Sequence, residues 1–219
     1  MTSTDYEVFC ADIGSIAKKS FGWASAHSSG ADVKKHHDIR ELVVEVANAL
    51  TLGRKVALGF ECPLFVPLPG DPNRLTAARE GEGSHPWSAG AGCGALATGL
   101  TESAWILIEI RARFAGVVPA FLNWRRFQAS PSGLFVWEAF VTGEAKAASH
   151  SNDAAVAVGE FCRVSADLDG ANAIKADRVF SLIGASLLRS GWACDLGILS
   201  EPCIVIKPLT RQHLDGAGD

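Results

Sequence analysis

The chain has no excess of positive charge: 20 lysines and arginines face 24 aspartates and glutamates, for a formal net charge of −4. A protein that coats duplex nucleic acid does so by neutralising phosphates with Lys and Arg. The balance argues against that mode and leaves open a small nucleic-acid site with a few local arginines. Long hydrophobic runs are also missing. The strongest, Ala104–Ile110, contains Glu109 and stops at Arg111, well short of the ~20 apolar residues of a membrane span, so no membrane partner is expected. Met1-Thr2-Ser3-Thr4-Asp5-Tyr6-Glu7 places no positive charge ahead of an apolar stretch. A secretory signal is therefore not expected, and the cytoplasm is the expected compartment. None of Cys10, Cys62, Cys93, Cys162, Cys194 and Cys203 forms a C-x-x-C pair, and no Cys/His spacing suits zinc. Buried, reduced thiols are expected instead. The histidines include no H-x-x-x-H pair, and His36-His37, ahead of a helix, read as solvent-facing. Gly90-Ala91-Gly92-Cys93-Gly94 follows Pro86-Trp87-Ser88 rather than a buried strand and has no P-loop lysine. It is no dinucleotide or P-loop site, and it reads as a flexible loop that closes over substrate.

What is present is a globular composition, 48% hydrophobic over 219 residues. A chain of this size buries roughly 70% of its unfolded surface without needing disulfides. The reading is one domain over residues 1–209 with an irregular insertion at about 63–98, and a frayed tail at 210–219. Tyr6 to Ile13 alternates Val8, Cys10 and Asp12 with Phe9, Ala11 and Ile13. Both faces are mostly apolar, as in a central strand covered on two sides. Phe21 to Ala26 reads as a hairpin-connected strand, with a short third strand around Ala31 to Lys35. Asp38 and Glu41 form a capping box ahead of Ile39, Leu42, Val43, Val46 and Leu50 at helical spacing, and Gly53 supplies the stop. Lys55 to Phe60 is a short apolar strand ending at Glu61-Cys62-Pro63. Further on come a buried helix capped by Thr101 and a strand over Leu134 to Val141. A helix from Ser151 or Asn152 to about Leu168 follows, then a helix from Ala173 to Ser190 and a closing strand over Cys203 to Ile206. Helix and strand joined by short loops make an α/β fold.

Four pieces carry a resemblance. Asp12-Ile13-Gly14-Ser15 with Phe21-Gly22-Trp23-Ala24 resembles a "D-G-S … G-W" hairpin. Leu58-Gly59-Phe60-Glu61-Cys62-Pro63-Leu64 resembles an "I-D-x-P-L" strand end. Trp137-Glu138 resembles an acidic third element, and Asp177 to Ala185 resembles an acidic helix, "D-D-x-x-D-A-x-x-A". In this order they resemble the ribonuclease-H-like superfamily, most closely the family grouped as domain of unknown function 429. Two departures stand out: Glu61 where Asp is commoner, and Ser181 where a second helix acid is usual. The resemblance implies a three-layer α/β fold with a mixed central sheet flanked by helices. It also implies Mg²⁺ or Mn²⁺ held by Asp12, Glu61 and Asp177, with Glu138 as a fourth catalytic acid.

The chemistry fits those residue types. Phosphodiester cleavage in that manner uses two cations, one activating water and one holding the leaving oxygen, and hard cations take oxygen ligands. Strands side by side would bring Asp12 and Glu61 together across a spacing of about 4.8 Å. Arg74 and Arg79 in the long loop, and Arg125-Arg126 between Trp124 and Phe127, are candidate substrate contacts: guanidinium forks suit phosphate and aromatic rings stack on bases. Bland readings stand beside each. Asp12 can end its strand in an Asx turn, Glu61 can bond its loop, and Asp177 can serve a helix dipole. Glu138 can be a paired structural acid, and the arginines can be solvated. The expected function is a metal-dependent nuclease or phosphodiester hydrolase acting on nucleic acid. The alternatives are a non-catalytic scaffold of the same fold and an ATP-handling relative of actin- and sugar-kinase-like proteins.

Overall fold

The first strand is apolar on both faces because both faces are covered. In the computed structural model, which describes residues 5–209, β1 (Tyr6–Asp12) sends Val8 and Cys10 into one core and Phe9 and Ala11 into another. The expected tail at 210–219 lies outside the described residues. β2 (Gly22–His27) pairs antiparallel with β1, and β3 (Lys34–His36) antiparallel with β2. α1 (Ile39–Thr51) then crosses to β4 (Lys55–Phe60), which lies parallel to β1. Asp38 caps α1 by accepting the Arg40 amide, Glu41 turns to His36 at 3.5 Å, and Gly53 stops the helix at φ +74°. β5 (Phe65–Pro67) opens the long loop, and α2 (Gly90–Arg113) follows it. β6 (Ala120–Phe121), α3 (Trp124–Ala129), β7 (Leu134–Ala139) and α4 (His150–Val164) come next. α5 (Leu168–Ala171), β8 (Val179–Ser181), α6 (Leu182–Arg189) and β9 (Val205–Ile206) complete the described chain.

Together these form a seven-stranded mixed sheet flanked by helices, in the order β3-β2-β1-β4-β7-β6, with β9 along β7 beyond β6. α1, α2 and α6 supply Leu42, Val46, Ile106, Ile110, Ile183 and Leu187 to the core on one face. α3 and α4 supply Trp124, Phe127, Ala157 and Phe161 on the other. Gly59 in β4 is opposite Trp137 in β7, and a Cβ there would overlap the indole. The missing side chain lets this ring lie flat across the sheet.

Several expectations are corrected. The glycine cluster is not a loop: α2 starts at Gly90, eleven residues before Thr101. By length and composition alone α2 is long and apolar enough to cross a membrane. Here Ile106, Leu107 and Ile110 face the core, while Leu100, Trp105 and Ile108 are exposed. The stretch from Ala173 is not helical, because Val179–Ser181 pairs with β5 and Ser181 caps a helix that begins at Leu182. Among the cysteines, Cys10, Cys62 and Cys203 are buried and free, whereas Cys93 and Cys194 are exposed and Cys162 is intermediate. His36 stacks on Trp23 at 4.5 Å, and His37 is exposed.

Candidate metal centre

The parallel pairing of β1 and β4 sets Ala11 against Phe60, and the Glu61 amide donates to the Ala11 carbonyl at 2.8 Å. Asp12 and Glu61 therefore leave the carboxyl ends of adjacent strands side by side, the usual location of ligand sites in α/β sheets. The third acid comes from α4. Ser149 caps that helix by accepting the Asn152 amide, which puts Asp153 in its first turn. Gly22, opposite Asp12 in the register, lets this end of α4 sit directly on β2, since a Cβ there would overlap the Ser151 backbone. One carboxylate oxygen from each of Asp12, Glu61 and Asp153 lies within 4.8 Å of the other two. Asp12 and Asp153 are each 4% exposed, and the Glu61 side chain 10%.

Their partners are few. The His150 Nδ1–H donates to Asp12 Oδ2 at 2.6 Å, and the Ala147 amide to Asp153 Oδ1 at 2.5 Å. Lys146 Nζ stands 3.7 Å from Glu61 Oε1 and 3.9 Å from Asp153 Oδ2. Glu61 Oε2 is buried with no hydrogen-bond partner among the described residues. Burial, reinforced by the Asp12 charge, pushes the Glu61 carboxyl up to about 9. Burial also raises Asp12, to about 6, against the pull of His150. Glu102 on α2 borders the group: its Oε2 accepts the Gly14 amide at 3.3 Å, and burial and Asp12 lift it to about 7. An uncompensated buried carboxylate is unfavourable, and a cation on it reverses the local preference for the protonated form. An all-oxygen donor set suits hard divalent cations over softer metals.

The other expected site residues lie elsewhere. Asp177 is exposed in the turn before β8 and is not in the acid group, because the helix expected to carry it is replaced there by a strand. Asp153 holds the third place instead. Glu138, opposite Phe60 on β7, is 1% exposed and fully engaged. Arg79 Nη2 and Nη1 reach its oxygens at 2.6 and 2.9 Å, and the Leu64 amide donates to it at 2.9 Å. Arg79 also bonds Glu82 through Nε at 2.7 Å and is 3% exposed, so it ties the loop down and cannot meet a substrate. Burial weakens its charge, and the two carboxylates more than offset that and raise its pKa. Arg74 is exposed at the end of a turn in the long loop. Arg125 pairs with Asp169 at 2.6 Å and lies on α3 beside Tyr6 and Lys55, and Arg126 is exposed on the same helix. Those residues begin β1 and β4, about 20 Å along the strand from the acids at 3.3 Å per residue.

Sequence reasoning missed Asp153, His150 and Lys146. Asp153 heads the stripe Asp153, Ala157, Phe161 on the buried face of α4, and a charge in an apolar stripe was a usable signal. Nothing in the sequence places His150 or Lys146. A cleft of about 720 Å³ opens beside Glu61 and Lys146, between the first turn of α2 and the residues following β7. Comparison with protein-family models, curated proteins and solved structures finds no match to this chain.

Proposed function

We propose that the chain is a divalent-metal-dependent phosphodiester hydrolase on a ribonuclease-H-like, three-layer fold, with Asp12, Glu61 and Asp153 holding Mg²⁺ or Mn²⁺. One observation carries the reading: Glu61 Oε2 is buried and unpartnered inside a group of three converging carboxylates. The fold assignment draws support from an antiparallel β3-β2-β1 meander followed by parallel β4 and β7, with helices against both faces. When bound, the cation would supply an acidified water and charge stabilisation at the phosphoryl oxygens. His150 orients Asp12 through the 2.6 Å bond. Lys146 brings a positive charge to the mouth of the group, within reach of a developing negative charge.

A non-catalytic role is the second reading, and Lys146 favours it, because its ammonium already serves Glu61 and Asp153 as a tethered counter-charge. Thermal melting with Mn²⁺ tests the metal reading. At a hundredfold excess over the dissociation constant the gain is about 2.7 kcal/mol, which is roughly 5–10 °C in a domain of this size. Wild type and Asp177→Asn should both show it, and Asp12→Asn and Asp153→Asn should not. A wild-type curve unmoved by millimolar Mn²⁺ would sink the proposal. Turnover of a phosphodiester by the loaded protein then separates the hydrolase from the scaffold.

A further inference from the structure

We infer that the substrate is a small phosphodiester with an apolar or aromatic arm, seated in the cleft beside Glu61, and not a polynucleotide. The inference rests on the metal reading above and narrows its substrate. The cleft shares Glu61 and Lys146 with the acid group, so a ligand filling it presents one end to the metal position. Its volume of about 720 Å³ falls within the roughly 300–1,000 Å³ of small-molecule sites. Pro63, Trp87 and Phe140 line the cleft and suit a flat apolar group.

Charge argues the same way. Lys146 is the cleft's one Lys or Arg among the described lining residues, whereas Glu82 and Glu138 there are occupied by Arg79. A polynucleotide needs several phosphates neutralised by Lys or Arg along its track. None of Arg74, Arg79, Arg125 and Arg126 lines the cleft: Arg79 is buried in its ion pairs, and Arg125 lies by the opposite strand ends. α2 begins with no side-chain cap at Ala89, which leaves first-turn amides on the cleft wall as donors to a polar tip of the arm.

The test uses the full chain with Mn²⁺. Binding of diphenyl phosphate is followed by calorimetry, and cleavage of bis(4-nitrophenyl) phosphate is compared with that of single-stranded DNA and RNA oligonucleotides. Ala91→Trp, at an exposed position on the cleft wall, blocks the pocket away from the acids, and Thr142→Trp blocks it from the other side. Both should weaken diphenyl phosphate and raise KM for the small diester roughly tenfold or more, a loss equal to about 1.4 kcal/mol. The Mn²⁺-induced rise in Tm should persist in both. Oligonucleotide cleavage that outpaces the small diester and is indifferent to both blocks overturns the inference while leaving the metal reading standing. No binding or cleavage of the small diester by a protein that does respond to Mn²⁺ overturns it equally. Absence of any Mn²⁺ response removes both proposals.

Discussion

Glu61→Gln in metal-free protein gives the most direct view of what holds the acid group together. Burial and the neighbouring Asp12 charge keep the Glu61 carboxyl protonated up to a pH of about 9, against an ordinary value of 4.5. Between those limits the folded chain binds one more proton than the unfolded chain. Stability from this group is therefore complete below pH 4.5 and drains away as pH rises toward 9. One proton corresponds to about 1.4 kcal/mol per pH unit. From pH 7 to 8.5 the wild-type protein in EDTA should lose about 2 kcal/mol through this group, or roughly 4–8 °C in Tm at 2–4 °C per kcal/mol. Glutamine keeps the shape and cannot titrate, so the variant should lose that much less over the same interval. The lower pH limit matters because Asp12 passes its midpoint near 6 and Glu102 near 7, so most of their change lies below this interval. The buried thiols Cys10, Cys62 and Cys203 steepen both curves equally. Urea melts at four pH values in EDTA provide the measurement. Parallel wild-type and variant curves would refute the claim that the Glu61 proton is held by burial and would weaken the case for a cation there.

Other outcomes follow from the same geometry. Lys146→Met removes an ammonium about 4 Å from two acids. Since that ammonium is half-exposed, the change should tighten Mn²⁺ by only a few-fold, on the order of 1 kcal/mol, measured by calorimetry. Arg79→Met leaves Glu82 and Glu138 buried without their counter-charge and should lower stability by about 3–5 kcal/mol in urea. Adding Glu82→Gln and Glu138→Gln to it should recover a good part of that loss, which separates lost charge balance from lost packing. Gly59→Ala should strain the β4–β7 pair by driving a methyl into the Trp137 ring, with a loss of about 1–3 kcal/mol and a change in tryptophan fluorescence.

The central strands were readable because their chemistry is one-dimensional. β1, β4 and β7 are apolar on both faces, and the acids that break or end such runs, Asp12 and Glu61, fall at the sheet's rim by register alone. The third acid was not readable in the same way. Val179, Ile183 and Leu187 repeat every four residues and suggest a helix carrying Asp177. Pairing of Phe65–Pro67 with Val179–Ser181, with the Leu68 amide donating to the Arg178 carbonyl, overrides that spacing. The glycine cluster misled for the opposite reason. Glycine disfavours a helix by about 1 kcal/mol against alanine, yet at Gly92 and Gly99 a Cβ would collide with the Pro86 carbonyl and Cys62, so close packing requires the residue that propensity argues against. Glu138 shows a further limit: a buried acid on a strand reads alike whether it awaits a metal or an arginine fourteen residues beyond Phe65.

The three converging acids are separated by long stretches of chain, and the last of them arrives on a helix rather than on the sheet. A polypeptide emerging from synthesis owns no such cage until residue 153 has been made and α4 has settled across β1 and β2. The first 150 residues carry six of the seven strands of the sheet but only two of the three acids. A bound cation would fasten α4 onto β1 and β4, tying a later stretch of chain to two earlier strands.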